Sequence, residues 1–321
     1  VRILSLPTGD QHPDWSVHNG LGFLWNPDFS QLLNADVWLA AAGQIFFTLS
    51  VGIGSILTYA SYLKKRDDVA LSGLASVSTN QFAEVILGSS IIIPATFVFF
   101  GPVQTAEIAA SGAFNLGFVT MPMIFEEILF GKFFGTLWFG LLFLAGITSS
   151  ISLAQPAITF LEDEFDIPQK KAVNIFSIVT FILCHAPIFF LSKGVVDEMD
   201  FWGGTFCLVL FGTIEAVLFA WVFGIDKAWD ELHKGSEMRV PTFYKFIFKY
   251  ITPVFLLIIL GSWIYQQGLP VILMENISEE TKSFVLGTRV ALVSLALLLI
   301  VLVKIAWRRH RKRGTLPDYS L

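Results

Sequence analysis

Asn80 and Glu84 lie in the stretch "LSGLASVSTNQFAEVILGSSIIIPATFVFF", in which Glu84 is the only charged residue. Four positions apart, they stack on one helical face. A carboxylate at bilayer depth costs at least ~2.5–3.5 kcal/mol on insertion scales, which makes it a functional candidate; a purely structural hydrogen-bonding role is the alternative. A second group, Thr148, Ser149 and Ser150, falls mid-segment in "FLAGITSSISLAQPAITFLEDE". Such hydroxyls either bond back to a carbonyl one turn earlier or, with the Ala145 carbonyl, gather several neutral oxygens at one spot. Oxygens of that kind suit a hard monovalent cation, whereas a transition metal prefers imidazole or thiolate. The third group, Thr48, Ser50, Gly52 and Gly54, crowds the centre of "GQIFFTLSVGIGSILTYASYLKKR". Small residues there let two helices pack closely, or they mark a local unwinding whose carbonyls and half-helix ends face an ion or a charged substrate.

Other chemistries find little support. His185 has no second histidine at helical spacing, so haem or zinc is not indicated, and no mid-span lysine offers a Schiff base. Cys184 and Cys207 lie in apolar runs and read as small hydrophobes. Glu162, Glu164 and the cluster "VVDEMD" read as solvated charge, and no phosphate-binding or nucleophile motif of a soluble enzyme occurs. The formal charge of −5 gives no reason to expect a nucleic-acid partner.

These groups need elements that hold them inside a bilayer. The chain has 321 residues, 54% hydrophobic and 15% charged, with a mean hydropathy of +0.67. Soluble domains carry roughly 25% charge, so an all-α integral membrane protein is predicted. Apolar stretches of about 20 residues mark spanning helices. Seven are expected, at roughly 38–62, 71–100, 134–161, 172–191, 200–223, 244–266 and 284–306. Lys and Arg accumulate in cytoplasmic loops. Sixteen of the 21 fall in one set of connections: Lys64–Arg66, Lys170–Lys171, five between Lys227 and Lys249, and six between Lys304 and Arg313. The other set holds Arg2, Lys132, Lys193, Lys282 and Arg289. This places the first residues outside and the basic tail "WRRHRKRG" inside, anchored to anionic lipid. Residues 101–131 are expected as a long outside loop, and 226–235 ("DKAWDELHKG") as an amphipathic helix at the inner interface.

Several longer motifs carry a family resemblance: "VWLAAAGQIFFTLSVGIGSILTYASY", "AEVILGSSIIIPA", "GAFNLGF", "LAGITSSISLAQPAITFLEDE", "DEMDFWGGT", "FGIDKAWDEL" and "YITPVF". From about Trp38 to Trp307 the chain closely resembles the bacterial amino-acid branch of the neurotransmitter:sodium symporters. The resemblance implies the LeuT fold, with 38–223 as the second inverted five-helix repeat and 244–307 as two additional spans of a single transmembrane domain covering 1–321. It implies multi-pass residence in a bacterial inner membrane, with Na+ and a neutral amino-acid substrate as ligands. Thr48 and Asn80 then match ligands of a first sodium. The Ala145 carbonyl with the Thr148 and Ser149 hydroxyls matches half of a second sodium site. Phe47 matches an aromatic lid, and Thr48, Ser50, Ile53, Ser149 and Leu153 match positions around the substrate. Gln44 and Asp200 resemble an outer gate; Tyr62 and Asp163 resemble an inner one. Glu84 falls where chloride-independent members carry a built-in carboxylate.

The resemblance has two departures. Ile53 stands where close members carry Phe, which alters the pocket's shape. The family's first five helices, which supply the other half of the substrate and sodium sites, have no counterpart here. The expectation is therefore the C-terminal part of a sodium-coupled symporter with no covalent chemistry. The rivals are a truncated, non-transporting remnant or scaffold and, further off, a channel.

Overall fold

The computed structural model describes residues 12–64, 66–110 and 113–315. Arg2 and Lys65 of the charge pattern, and Ser111 and Gly112 of the expected outside loop, lie outside the described residues. Every regular element among the described residues is helical. Six helices are long and apolar enough to cross a bilayer: Val69–Ala109, Gly131–Phe165, Gln169–Phe189, Val195–Val222, Phe243–Ile272 and Glu279–Arg313. They coincide with six of the seven predicted spans. The remaining one, 38–62, is helical in two pieces, Ala35–Thr48 and Ser55–Ala60, each too short to cross alone.

The chain divides into two compact units. The first is built on Asp68–Ser149, with the chain up to Leu33 and Leu232–Arg239. Asp68 caps the helix that starts at Val69, accepting the Leu71 amide at 2.8 Å. It also accepts the Glu237 amide at 2.8 Å, and these amides hold its carboxyl below the usual carboxylate range. At Gly101 (φ 74°, ψ 176°) that helix is interrupted. The Trp15 ring lies where a Cβ on Gly101 would stand, 2.3 Å from its nearest atom, so glycine fits both the turn and the close approach. Beyond this point 101–131 is largely helical rather than a loop: the chain continues to Ala110, then runs in helical turns from Ala113 to Glu127. Of its apolar residues Met121 and Ile124 are buried and packed against Ala95, while Phe114, Phe118 and Met123 stay exposed.

The second unit comprises Asn34–Asp67, Ser150–Glu231 and Val240–Leu321. Its core joins Ala35 and Leu39 to Val209, Leu256, Ile259, Leu260 and Trp263. Trp263 Nε1 donates to Asp36 Oδ1 at 2.9 Å, and the Ala35 amide donates to Gln266 Oε1 at 3.0 Å. These bonds pin the start of the 35–48 helix. The predicted amphipathic segment is the helix Ile225–Leu232, burying Ile225 and Ala228, and Asp226 pairs with Lys245. That ammonium draws the Asp226 carboxyl below its usual range.

Arg289 is not a simple loop charge. It lies inside the Glu279–Arg313 helix and pairs with Glu198, their side chains 15% and 11% exposed. Arg289 Nη1 also donates to the Val271 and Ile272 carbonyls at 2.8 and 3.2 Å. Trp202 Nε1 donates to the same Glu198 oxygen at 2.6 Å. One buried carboxylate thus joins two elements, and the arginine ties in a third.

Candidate functional site

The apolar 38–62 segment breaks at the cluster of small residues. Leu49 still bonds back to Ile45 at 3.1 Å and Val51 to Phe46 at 2.8 Å. Ser50, Gly52 and Gly54 then take left-handed φ values of 57°, 75° and 86°. Glycine adopts that region without steric cost; Ser50 does not, and such strain persists only where the surroundings enforce it. The Gly52 amide donates to Glu215 Oε2 at 3.3 Å. The Gly54 carbonyl accepts both the Thr58 amide at 3.0 Å and the Thr58 hydroxyl at 3.1 Å. Buried Ser55 donates its hydroxyl to the Ser152 carbonyl at 3.2 Å, and Tyr59 donates to Ser152 Oγ at 3.0 Å. In hydrocarbon an interrupted helix is tolerated only when the freed backbone groups find partners. Here Glu215 of the 195–222 helix and the chain's own restarting turn bind the Gly52 amide and the Gly54 carbonyl.

Close packing fixes where the break lies. A Cβ on Gly43 would fall 2.9 Å from Thr205 Cγ2, and one on Gly212 would fall 2.4 Å from the Phe46 ring. Both glycines let the 35–48 helix press against the 195–222 helix. Gly54 lies against Pro156 of the 131–165 helix.

Within this second unit, Phe47 is half exposed and the Thr48 hydroxyl bonds back to the Ile45 carbonyl at 3.3 Å. Ser50 and Ile53 lie in the break, and Leu153 is exposed one residue past Ser152. Gln44 adjoins the Gly43 contact. Asp200 opens a widened helical turn, 200–206, and its Oδ1 would sit 2.7 Å from a Cβ on Gly204, so glycine leaves room for the carboxylate. Tyr62 Oη lies 3.5 Å from Gln155 Nε2. Asp163 is exposed in the last turn of the 131–165 helix. In that same turn Glu164 is not merely solvated but lies 3.0 Å from His310.

Two further groups lie in the first unit. Asn80 Nδ2 donates to Glu84 Oε2 at 3.1 Å, so the predicted stacking on one face is present. Glu84 sits in a widened turn, 82–88, a helical irregularity frequent at functional sites. The Thr148 hydroxyl donates to the Leu144 and Ala145 carbonyls at 3.1 and 3.0 Å. This is the back-bonding alternative, and it also sets the Ala145 and Thr148 oxygens side by side. Ser149 is exposed beside them.

Sequence reasoning missed Glu215 and Ser152. Glu215 lies in "FGTIEAVLFAWVF", an apolar run where the criterion applied to Glu84 also selects it. Ser152 lies one turn beyond the Thr148–Ser149 pair on the same helix, the spacing that continues a face.

Residues 15–309 match the profile of the Sodium:neurotransmitter symporter family. An uncharacterised sodium-dependent transporter of Haemophilus influenzae is 30% identical over 274 residues, covering 82% of this chain and 55% of the relative. Another, from Methanocaldococcus jannaschii, is 29% identical over 240 residues, covering 74% and 48%. Among solved structures, MhsT in complex with L-phenylalanine superposes with a TM-score of 0.67 at 28% identity, covering 76% of this chain and 56% of that one. The chain spans about half the length of these relatives. A profile match over most of its residues, with the all-helical apolar architecture, makes this chain a multi-pass membrane member of the sodium:neurotransmitter symporter family.

Proposed function

We propose that this chain is the C-terminal part of a sodium-coupled symporter of neutral amino acids working by alternating access without chloride. The reading rests on one observation: the broken apolar segment at 49–54, with strained Ser50 and the Gly52 amide held by Glu215. Half-helix ends at bilayer depth present partial charges to ions and charged substrate groups. On the family pattern, Thr48 and Asn80 ligate a first sodium and Ala145, Thr148 and Ser149 contribute to a second. The donor chemistry of these residues, carbonyl, hydroxyl and carboxamide oxygens, fits a hard monovalent cation. Phe47, Ser50, Ile53 and Leu153 surround the substrate, and Gln44–Asp200 and Tyr62–Asp163 serve the two gates. Seven spans, with the broken segment first, make up the second repeat and the two additional helices. Sodium acts by stabilising the outward-open state, since only a ligand with differential affinity shifts a conformational equilibrium. The complementary half of both sites belongs to a five-helix N-terminal segment of a longer protein or a partner chain. The half-length coverage of the relatives fits that division of the sites.

The test is binding of radiolabelled phenylalanine, chosen because MhsT was solved with it, with other neutral amino acids assayed in parallel. Sodium-dependent binding is expected when the chain is produced with the five-helix segment and not when it is produced alone. Absence of binding to any neutral amino acid in both forms supports the remnant reading. In the active form, Glu84→Ser is expected to create a chloride requirement, because a fixed carboxylate beside sodium performs the anion's electrostatic task. Chloride indifference in that variant would overturn the role given to Glu84.

A further inference from the structure

We propose that the last turns of the Glu279–Arg313 helix form a two-faced basic element, one face bound to protein and the other an anionic-phospholipid site. Four residues define the protein face. Ala306 is buried, and Arg309 and Arg313 follow it at three and seven positions, on the same side of the helix. Both guanidinium groups reach Asp166 Oδ2, at 3.0 and 2.7 Å, and His310 lies 3.0 Å from Glu164. Asp166 terminates the 131–165 helix in a left-handed conformation, φ 55°, which short polar residues tolerate.

The opposite face carries Lys304, Arg308 and Arg311 at positions i, i+4 and i+7, flanked by Trp307 and Lys312. All five are exposed. Among the described residues, no carboxylate lies within ion-pair distance of these four cations. Arg311 lies over the Trp307 ring at 6.0 Å from its centroid.

Depth favours a lipid occupant. The helix carries no charged residue from Val290 to Val303, and tryptophan is characteristic of the membrane–water boundary. At about 1.5 Å per residue, Lys304 to Lys312 covers about 12 Å along the axis, enough to extend through a headgroup layer. Long basic side chains at such a boundary reach towards phosphate while their stems stay on apolar surface. Basic clusters directly beside a spanning helix attract anionic headgroups. The chemistry selected is a phosphodiester carrying a net negative charge, as in phosphatidylglycerol, over the zwitterionic phosphatidylcholine. This inference needs only that the helix crosses the bilayer, not which side its end faces.

The experiment is native mass spectrometry of the full chain released from nanodiscs containing equal phosphatidylglycerol and phosphatidylcholine. Both leaflets then carry the same lipids, so the result does not depend on the orientation or the transport reading. The unaltered chain should retain phosphatidylglycerol preferentially. K304Q/R308Q/R311Q/K312Q should lower that retention on the order of tenfold, and R309Q/R313Q should leave it near the original level. Raising salt should also weaken retention by the unaltered chain, a readout that needs no variant. Equal retention of the two lipids, salt-insensitive retention, or full retention by the quadruple variant overturns the proposal. Equal loss in R309Q/R313Q overturns the division into two faces.

Discussion

At Gly52 the chain turns with φ +75° while its Cα faces the backbone of the 195–222 helix. A Cβ there would stand 2.7 Å from the Leu208 carbonyl oxygen and 3.0 Å from the Gly212 nitrogen. Backbone atoms cannot swing aside as a side-chain end can, so Gly52→Ala adds a close contact to the strain of a left-handed residue. A destabilisation of about 1–3 kcal/mol or more is expected from the conformation alone, read as a lowered thermal midpoint in detergent. Gly73→Ala is the control. Nothing lies within 4 Å of its Cβ position and it sits inside the 69–81 helix, so alanine there should be neutral or stabilising. Glu215 tests the other side of the turn. Glu215→Gln keeps an acceptor oxygen for the Gly52 amide, whereas Glu215→Leu leaves that donor unpaired at a cost of about 1–3 kcal/mol. Equal midpoints for the two Glu215 variants would show that the amide does not depend on this acceptor.

The Glu198–Arg289 pair decides how three elements hold together. It links the 195–206 turns, the end of the 243–272 helix and the 279–313 helix. Both side chains are largely buried, so removing one partner strands a charge, which typically costs about 3–5 kcal/mol, while replacing both by apolar residues is often neutral. Arg289→Met is therefore expected to lower the thermal midpoint sharply, and Arg289→Met with Glu198→Met to recover most of the loss. A double variant as unstable as the single would mean that packing around Trp202, not charge, holds the junction. This pair also shows where sequence reading stops. Apolar stretches of about 20 residues located six spanning helices, with ends off by up to nine residues. The clustering of Thr48, Ser50, Gly52 and Gly54 left close helix packing and local unwinding both open, of which the structure shows the break. Partnerships across long sequence separations leave no such local trace. Nothing near Arg289 points to Glu198, 91 positions earlier, and nothing near Gly52 points to Glu215. The 101–131 segment reads as a loop in sequence because its apolar residues come in short patches, and its helices are short, below the length that periodicity detects.

On the scale of the whole molecule, the charge asymmetry implies one orientation, and the pairing of those charges sharpens it. Of the five cations assigned to the outer side, Lys193 pairs with Glu280, Lys282 with Glu279 and Arg289 with Glu198. The tail residues Lys304, Arg308, Arg311 and Lys312 instead project from the end of a helix that carries no charged residue between Arg289 and Lys304. Among the described residues these four have no carboxylate within ion-pair distance, and cations next to a span resist translocation because each would have to shed its hydration in hydrocarbon. Thr315 should then lie in the cytoplasm, and Ser192, in the turn between the 169–189 and 195–222 helices, should lie outside. In a chain lacking Cys184 and Cys207, Ser192→Cys is expected to react with a membrane-impermeant thiol reagent in intact cells. Thr315→Cys should react only after permeabilisation. The reverse pattern would invert every span and exchange the two gates, leaving the broken helix and its bonding as they are. Labelling of both positions in intact cells would mean an even number of crossings between them. The helices 195–222, 243–272 and 279–313 all lie in that interval, so one of the three would then have to lie along the membrane rather than through it.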